Sequence, residues 1–203
     1  CIVGAATSFE KINDSPVFKK HFPHINKYFD LIASLPIRNS ATVGGNIINA
    51  SPIGDMTIFF LALNASVNFV GEKSKRKILL KDLYKRYKLL DRSEDEYLES
   101  IEFNLPGVNS HFNFEKVSKR THLDIASVNS SILIETNGSS IVNAHLSAGG
   151  VAPVPFYLKK SSEFLTGKEI SHEMLNELMQ IVQEEISPIS DVRGSEEYKR
   201  LLL

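Results

Sequence analysis

The sequence predicts an α+β chain of two packed subdomains, residues 1–106 and 107–203. Three observations predict it. Strand patterns are joined by tight-turn signals, Gly71-Glu72-Lys73-Ser74 and Asn137-Gly138, which pair neighbouring strands antiparallel. Helical patterns at 24–33 and 55–63 precede the first hairpin, and those at 161–166, 171–186 and 196–203 follow the last strand. Pro106-Gly107, followed by Asn109-Ser110, punctuates the middle strongly enough to mark a boundary.

Taken in order, Ile2-Val3 is a short strand closed by Gly4. Thr7 or Ser8 can cap a short helix through Ile12. Ser15-Pro16 is a second start signal, with the hydroxyl at the cap and proline at the first helical position. Between 24 and 33, Ile25, Phe29 and Ile32 fall at helical spacing, and Pro36 is expected to end that helix. Asp55 can cap a helix through Met56, Phe59, Phe60 and Leu63 that is apolar nearly all round and therefore buried. Residues 66–70 and 77–80 read as a hairpin, 83–90 as a short charged helix, 91–96 as an acidic loop and 97–103 as a strand. Beyond the boundary, 112–118, 125–135 and 141–148 form a three-stranded antiparallel sheet. Helices follow at 161–166, 171–186 (capped by Ser171) and 196–203.

Composition sets outer limits. The chain has 203 residues, 42% hydrophobic and 23% charged, with a formal net charge of −1. Nothing in that balance suits a nucleic acid, and the basic run 73–77 reads as a solvated hairpin tip. No apolar run is long enough to span a membrane, and a cytoplasmic place is the default expectation. Cys1 is the only cysteine, so this chain alone can build neither a disulfide nor a cysteine-held iron–sulfur cluster. His21 and His24 lie three apart but have no third partner in view to make a metal site. No paired nucleophile and base stands out.

Residues 35–55 resist explanation by packing. Ser40, Thr42, Gly44, Gly45, Asn46, Asn49, Ser51, Gly54 and Asp55 crowd small and polar groups together. Gly44 and Gly45 carry no Cβ to block a close approach to the backbone. Thr42, Asn46 and Ser51 add short hydrogen-bonding side chains. Successive N–H groups in such a loop form a nest that suits phosphate oxygens. A tight turn followed by a helix cap accounts for the same residues.

The word order says more. Ile37-Arg38-Asn39, then Thr42-Val43-Gly44-Gly45-Asn46-Ile47, then Ala50-Ser51-Pro52 and Asp55 resembles the second flavin-binding segment of the molybdenum hydroxylase flavoproteins. That is the family of xanthine dehydrogenase and the carbon monoxide dehydrogenase medium subunit. The resemblance implies that Thr42, Val43, Gly44, Gly45, Asn46 and Asp55 lie along the FAD pyrophosphate and ribityl chain. It also implies a fold: the second half of a PCMH-type FAD-binding domain at 1–106, then a CO dehydrogenase flavoprotein-like C-terminal domain at 107–203. The family's first flavin segment has no counterpart here, and the chain opens abruptly at Cys1, so an N-terminally truncated fragment is expected.

The resemblance covers nearly the whole chain. Gly149-Gly150-Val151-Ala152-Pro153 and the run from Ser187 to Tyr198 match C-terminal segments of the family. The two glycines read as a backbone requirement, and Asp191 with Arg193 as a structural pair. Phe114-Glu115-Lys116-Val117, with Asp124-Ile125-Ala126 after it, implies a lysine beside the flavin, although Lys116 alone could equally be a surface charge. A cation there stabilises reduced flavin. Ile32 and Leu98 match positions that touch the isoalloxazine, and both would also pass as core residues.

The function implied is the FAD component of a xanthine dehydrogenase-like oxidoreductase. It would take electrons from iron–sulfur clusters on one partner and pass them to NAD or another acceptor. A molybdenum cofactor on a further partner would oxidise the substrate. A reductase of cell-wall precursor synthesis has a similar glycine-rich loop but gives no reason for the flanking motifs. The alternative of another class is a non-catalytic interaction module that keeps the fold without flavin.

Overall fold

The computed structural model describes residues 1–120 and 122–203. The chain opens on a strand, β1 (Ile2–Gly4), and winds through six short helices: α1 (Phe9–Asp14), α2 (Pro16–His21), α3 (Ile25–Asp30), α4 (Leu35–Ser40), α5 (Val43–Asn49) and α6 (Asp55–Ala62). Ser8 and Ser15 cap α1 and α2 through their hydroxyls, and Pro16 opens α2.

Residues 35–55 are more regular than the loop expected of them. Pro36 does not end the preceding helix. It sits in the first turn of α4, where its missing N–H costs nothing. Thr42 caps α5, and Ala50 closes it in the left-handed region at φ 49°. Only residues 41–42 and 50–54 remain outside helices. Gly54, rather than Asp55, takes the cap position of α6, and Asp55 is its first helical residue. That leaves the carboxylate available for other partners.

The chain continues through β2 (Ser66–Val70), β3 (Lys75–Leu79), α7 (Leu80–Leu83), β4 (Tyr84–Arg86), β5 (Leu89–Leu90) and β6 (Tyr97–Glu102). The helix expected over 83–90 is absent. Leu80 and Leu83 bury one turn, and Tyr84 then plunges inward, its hydroxyl donating to the Ile47 carbonyl at 3.1 Å. Lys88 at φ 58° turns the chain back, so β4 and β5 pair as a hairpin. Tertiary anchoring has overridden helical spacing. Strands β1, β6, β2 and β3 lie in that order in one antiparallel sheet. The basic run 73–77 is only partly a solvated tip. Arg76 turns back to bond both Glu96 carboxylate oxygens at 2.6 and 2.8 Å, with its guanidinium 5.3 Å from the Phe69 ring.

The second half holds β7 (Ser110–Val117), β8 (Val128–Asn137), β9 (Ser140–Gly149), β10 (Phe156–Tyr157), α8 (Lys159–Leu165), α9 (His172–Glu185) and α10 (Glu196–Leu201). Its antiparallel sheet has four strands, in the order β10-β9-β8-β7, and not the three expected. The extra strand is two residues long, Phe156 and Tyr157 against Ala148 and Ser147. No period can be read from two residues. Ser171 caps α9, its hydroxyl oxygen accepting from the Met174 N–H at 3.1 Å.

α6 joins the halves. Met56 through Ala62 are all buried, so no face of this helix meets water. On one side Phe59 joins an aromatic cluster with Phe22 and Phe112, at centroid distances of 5.3 and 4.6 Å. On the other, the Ser147 hydroxyl of β9 donates to the Ile58 carbonyl at 2.7 Å. The aromatic cluster thus crosses the division at Pro106-Gly107. A smaller core gathers Val128, Leu146 and Leu158 under Met174 and Val182 of α9.

Candidate functional site

The site is built around α5, whose two faces line two concavities. The first holds about 440 Å³ and is bounded by Ala5, Ala6, Thr42, Gly44, Gly45 and Leu98, with Arg92 at its rim. The second holds about 450 Å³ and is bounded by Asn46, Asn49, Asp55, Lys116 and Asp124. Residues 44, 45 and 48 recur on one side of the helix and 46 and 49 on the other, as 3.6 residues per turn dictates.

The expected nest of free N–H groups is already engaged. Val43 N–H donates to the Thr7 carbonyl at 3.0 Å and Gly44 N–H to the Ala5 carbonyl at 2.8 Å. Gly45 N–H donates to the Thr42 hydroxyl at 3.1 Å. Asn46 N–H donates to the Thr42 carbonyl at 3.0 Å. The first turn of α5 is therefore tied to the β1–α1 turn and to its own cap. Gly44 serves that tie, because a Cβ on it would stand 2.7 Å from the Ala5 Cβ and 2.9 Å from the Ala5 oxygen. Gly45 is exposed, and a Cβ there would meet only Thr42 Oγ1, at 3.0 Å. It alone of the two keeps the helix wall bare towards the concavity.

The second concavity is set by charge. Lys116 Nζ donates to Asp55 Oδ2 at 2.9 Å, and the lysine side chain is only 3% exposed. Asn129 Nδ2 donates to Asp55 Oδ1 at 2.7 Å. Burial pushes the Asp55 carboxyl above its ordinary value; the lysine and the amide pull it down without fully offsetting that. Asn46 Oδ1 accepts from both the Thr57 N–H and the Thr57 hydroxyl at 3.0 Å, which pins α5 to the next turn of α6.

The nine residues singled out from sequence divide accordingly. Thr42, Gly44, Gly45 and Leu98 line the first concavity. Asn46, Asp55 and Lys116 line the second. Val43 and Ile32, 0% and 1% exposed, sit in the core. Ile32 presents its carbonyl to Arg38, whose guanidinium also takes the Phe29 and Ala33 carbonyls and so closes α3. The motif arginine is thus structural. Gly149 and Gly150 are a backbone requirement: a Cβ on Gly149 would lie 2.1 Å from Asn129 Oδ1, and Gly150 stands at φ +81°. Asp191 and Arg193 are a structural pair through the backbone, the Arg193 N–H donating to Asp191 Oδ1 at 2.8 Å, while their charged groups go elsewhere. Asp191 binds Lys199 at 2.8 Å, and the Arg193 guanidinium reaches Asp124 at 3.7 Å.

Sequence reasoning passed over Ala5, Ala6, Arg92 and Asn129. The small pair Ala5-Ala6 after a strand was a usable signal. Arg92 lay hidden in a stretch read as acidic loop. Asn129 offered no signal.

A flavin dinucleotide fits these residues. Together the concavities have the size of a cofactor site. A bare wall of small residues with the exposed Arg92 at its edge suits a flat ring system or a diphosphate. Asn46, Asn49 and Asp55 present the side-chain groups that a polyol chain needs.

The fold is that of an oxidoreductase chain. It superposes on a chain of the carbon monoxide dehydrogenase from Hydrogenophaga pseudoflava with a TM-score of 0.92 and 21% identity, over 99% of this chain and 70% of that one. The protein belongs to the family described as the FAD binding domain in molybdopterin dehydrogenase, whose model matches residues 1–106; the CO dehydrogenase flavoprotein C-terminal domain matches residues 113–203. Among curated relatives, the glyceraldehyde dehydrogenase medium chain of Sulfolobus acidocaldarius is 28% identical over 98% of this chain and 70% of its own length. The carbon monoxide dehydrogenase medium chain of Afipia carboxidovorans is 26% identical over 98% of this chain and 68% of its own. The chain is thus an FAD-binding medium subunit of the molybdenum hydroxylase family. Among the described residues no helix is long and apolar enough to cross a membrane.

Proposed function

We propose that this chain holds FAD across both faces of α5 and works as the electron outlet of a molybdenum hydroxylase. Residues 1–106 are the flavin half and residues 107–203 the closing half. The observation that carries the reading is the pairing of a bare glycine wall on one face of α5 with the buried Asp55–Lys116 couple on the other. Flavin, when bound, supplies hydride and single-electron transfer.

The chain's own residues bind and orient. Gly45 and Leu98 leave room against α5, and Thr42 can turn its hydroxyl from the Gly45 N–H to a ligand. Asp55 offers an acceptor and the Asn46 amide nitrogen a donor to sugar-chain hydroxyls, and Lys116 is paired to Asp55 as its cation. Ile32 and Val43 are buried in the first core and line neither concavity. In that setting the electrons would come from iron–sulfur clusters on one partner, a molybdenum cofactor on another would oxidise the substrate, and NAD or another acceptor in the cytoplasm would receive the electrons. The medium-chain names of the relatives support a multi-subunit setting.

The test is titration of the protein with FAD, followed by flavin fluorescence and absorbance. Saturable one-to-one binding is expected, and Gly45→Val should weaken it at least tenfold. Absence of saturable binding would overturn the reading and favour an interaction module.

A further inference from the structure

Lys116, Asn129 and Gly149 stand in one row across three strands: Lys116 on β7 pairs with Asn129 on β8, which pairs with Gly149 on β9. Direct partners in an antiparallel sheet project to the same face. The row therefore delivers an ammonium, an amide and an empty place beneath the tip of α6, where Asp55 lies. Each Asp55 oxygen receives one donor, Lys116 at 2.9 Å and Asn129 at 2.7 Å. Asn129 also donates to the Ile53 carbonyl at 3.2 Å and is 1% exposed.

The orientation of the amide is forced. Turned over, its oxygen would face the Asp55 carboxylate and the Ile53 carbonyl, acceptor against acceptor. As placed, Asn129 Oδ1 is buried and finds no donor among the described residues. A residue present only to fill space would be leucine, of similar volume and with no oxygen to strand. The glycine opposite is part of the same arrangement, since any Cβ at 149 would strike Asn129 Oδ1 at 2.1 Å. Two positions in the sheet are thus committed to aiming one N–H at Asp55.

We infer that Asn129 is a positioning residue of the flavin site. Its amide holds the Asp55 carboxylate on the Lys116 ammonium, and so sets how much of that cation's charge reaches the cofactor, which Asn129 itself does not touch. The inference rests on the flavin reading above. Without the amide, Asp55 is a weaker counter-ion and more of the lysine's charge is felt by reduced flavin.

The experiment measures the flavin midpoint potential of the full enzyme by spectroelectrochemical titration, alongside its flavin content. Asn129→Leu should raise the potential by at least a tenfold shift in the oxidised-to-reduced balance, about 30 mV for a two-electron couple. In an Asp55→Asn background, Asn129→Leu should have no further effect on the potential. A wild-type potential in Asn129→Leu, or an undiminished shift in the Asp55→Asn background, would overturn the inference. So would folded variants that have lost their flavin, since a residue that acts through Asp55 changes potential rather than occupancy. A wild-type enzyme that holds no FAD would instead overturn the flavin reading itself.

Discussion

The two sides of α5 are built by different means. The glycine side is made from stretches that are short in sequence, and its character is shape: Ala5, Ala6 and Gly45 contribute by having almost no side chain. The polar side brings Asp55 together with Lys116 and Asn129, which lie 61 and 74 residues further along, and its character is charge held out of water. Small side chains crowded together can be seen in a sequence. A counter-ion supplied by strand register cannot.

The largest expected effect breaks the polar side. Lys116→Met leaves the Asp55 carboxylate without its cation and should cost about 3 kcal/mol in urea unfolding of the flavin-free protein. Adding Asp55→Asn should return most of that loss, because the charge left unpaired is then gone. A Lys116→Met protein as stable as wild type would mean that the pair carries no such weight.

The glycine side offers a sharper contrast between neighbours. Gly44→Ala drives a Cβ into Ala5 and should cost about 2 kcal/mol, an overpacking penalty, seen as a lowered unfolding midpoint. Gly45→Ala brings its Cβ against a single side-chain atom, Thr42 Oγ1 at 3.0 Å, with no backbone in the way, and should cost clearly less, under about 1 kcal/mol. Equal losses at the two positions would erase the distinction drawn between a tie to β1 and a bare wall.

The smallest effect lies at the far edge of the same side. Hydrogen bonds from the Arg76 guanidinium hold the Glu96 carboxyl down to about 2, helped by the Ser93 N–H and opposed by burial. An acid lowered in this way stabilises the fold above its unfolded value near 4.5, and that contribution is lost as pH falls towards 2. Stability measured from pH 6 down to 2.5 should therefore fall more gently in Glu96→Gln than in wild type. Parallel curves would show that the Arg76 contact is not coupled to folding.

Legibility in the sequence followed the reach of each interaction. Ser8, Ser15 and Ser171 were readable as caps because a cap acts over three residues. The β2–β3 and β8–β9 hairpins were readable from their turns. Glycines and prolines between 35 and 55 pointed to a loop, yet Pro36 and Thr42 sit where helices tolerate or want them, and two helices form. The turn back at Lys88 depends on Tyr84 reaching Ile47, 37 residues away. Of the site, Gly44 and Gly45 could be read directly while Ala5 and Ala6 were passed over, and the family resemblance supplied Asp55, Leu98 and Lys116. The partnership of Asp55 with Lys116 emerged only from the register of β7 against β8.

The complete burial of α6 has a consequence for how the molecule comes apart. Its hydrogen-bonded amides are shielded by the first sheet and the aromatic cluster on one side and by β8 and β9 on the other. Neither half can open alone without exposing a helix that has no polar face to offer water. The amide protons of α6 are therefore expected among the slowest to exchange, released only when both halves open together, and the chain is expected to melt as one cooperative unit although two family models divide it. Asp55, at the tip of that helix, is moored to an element buried on every side.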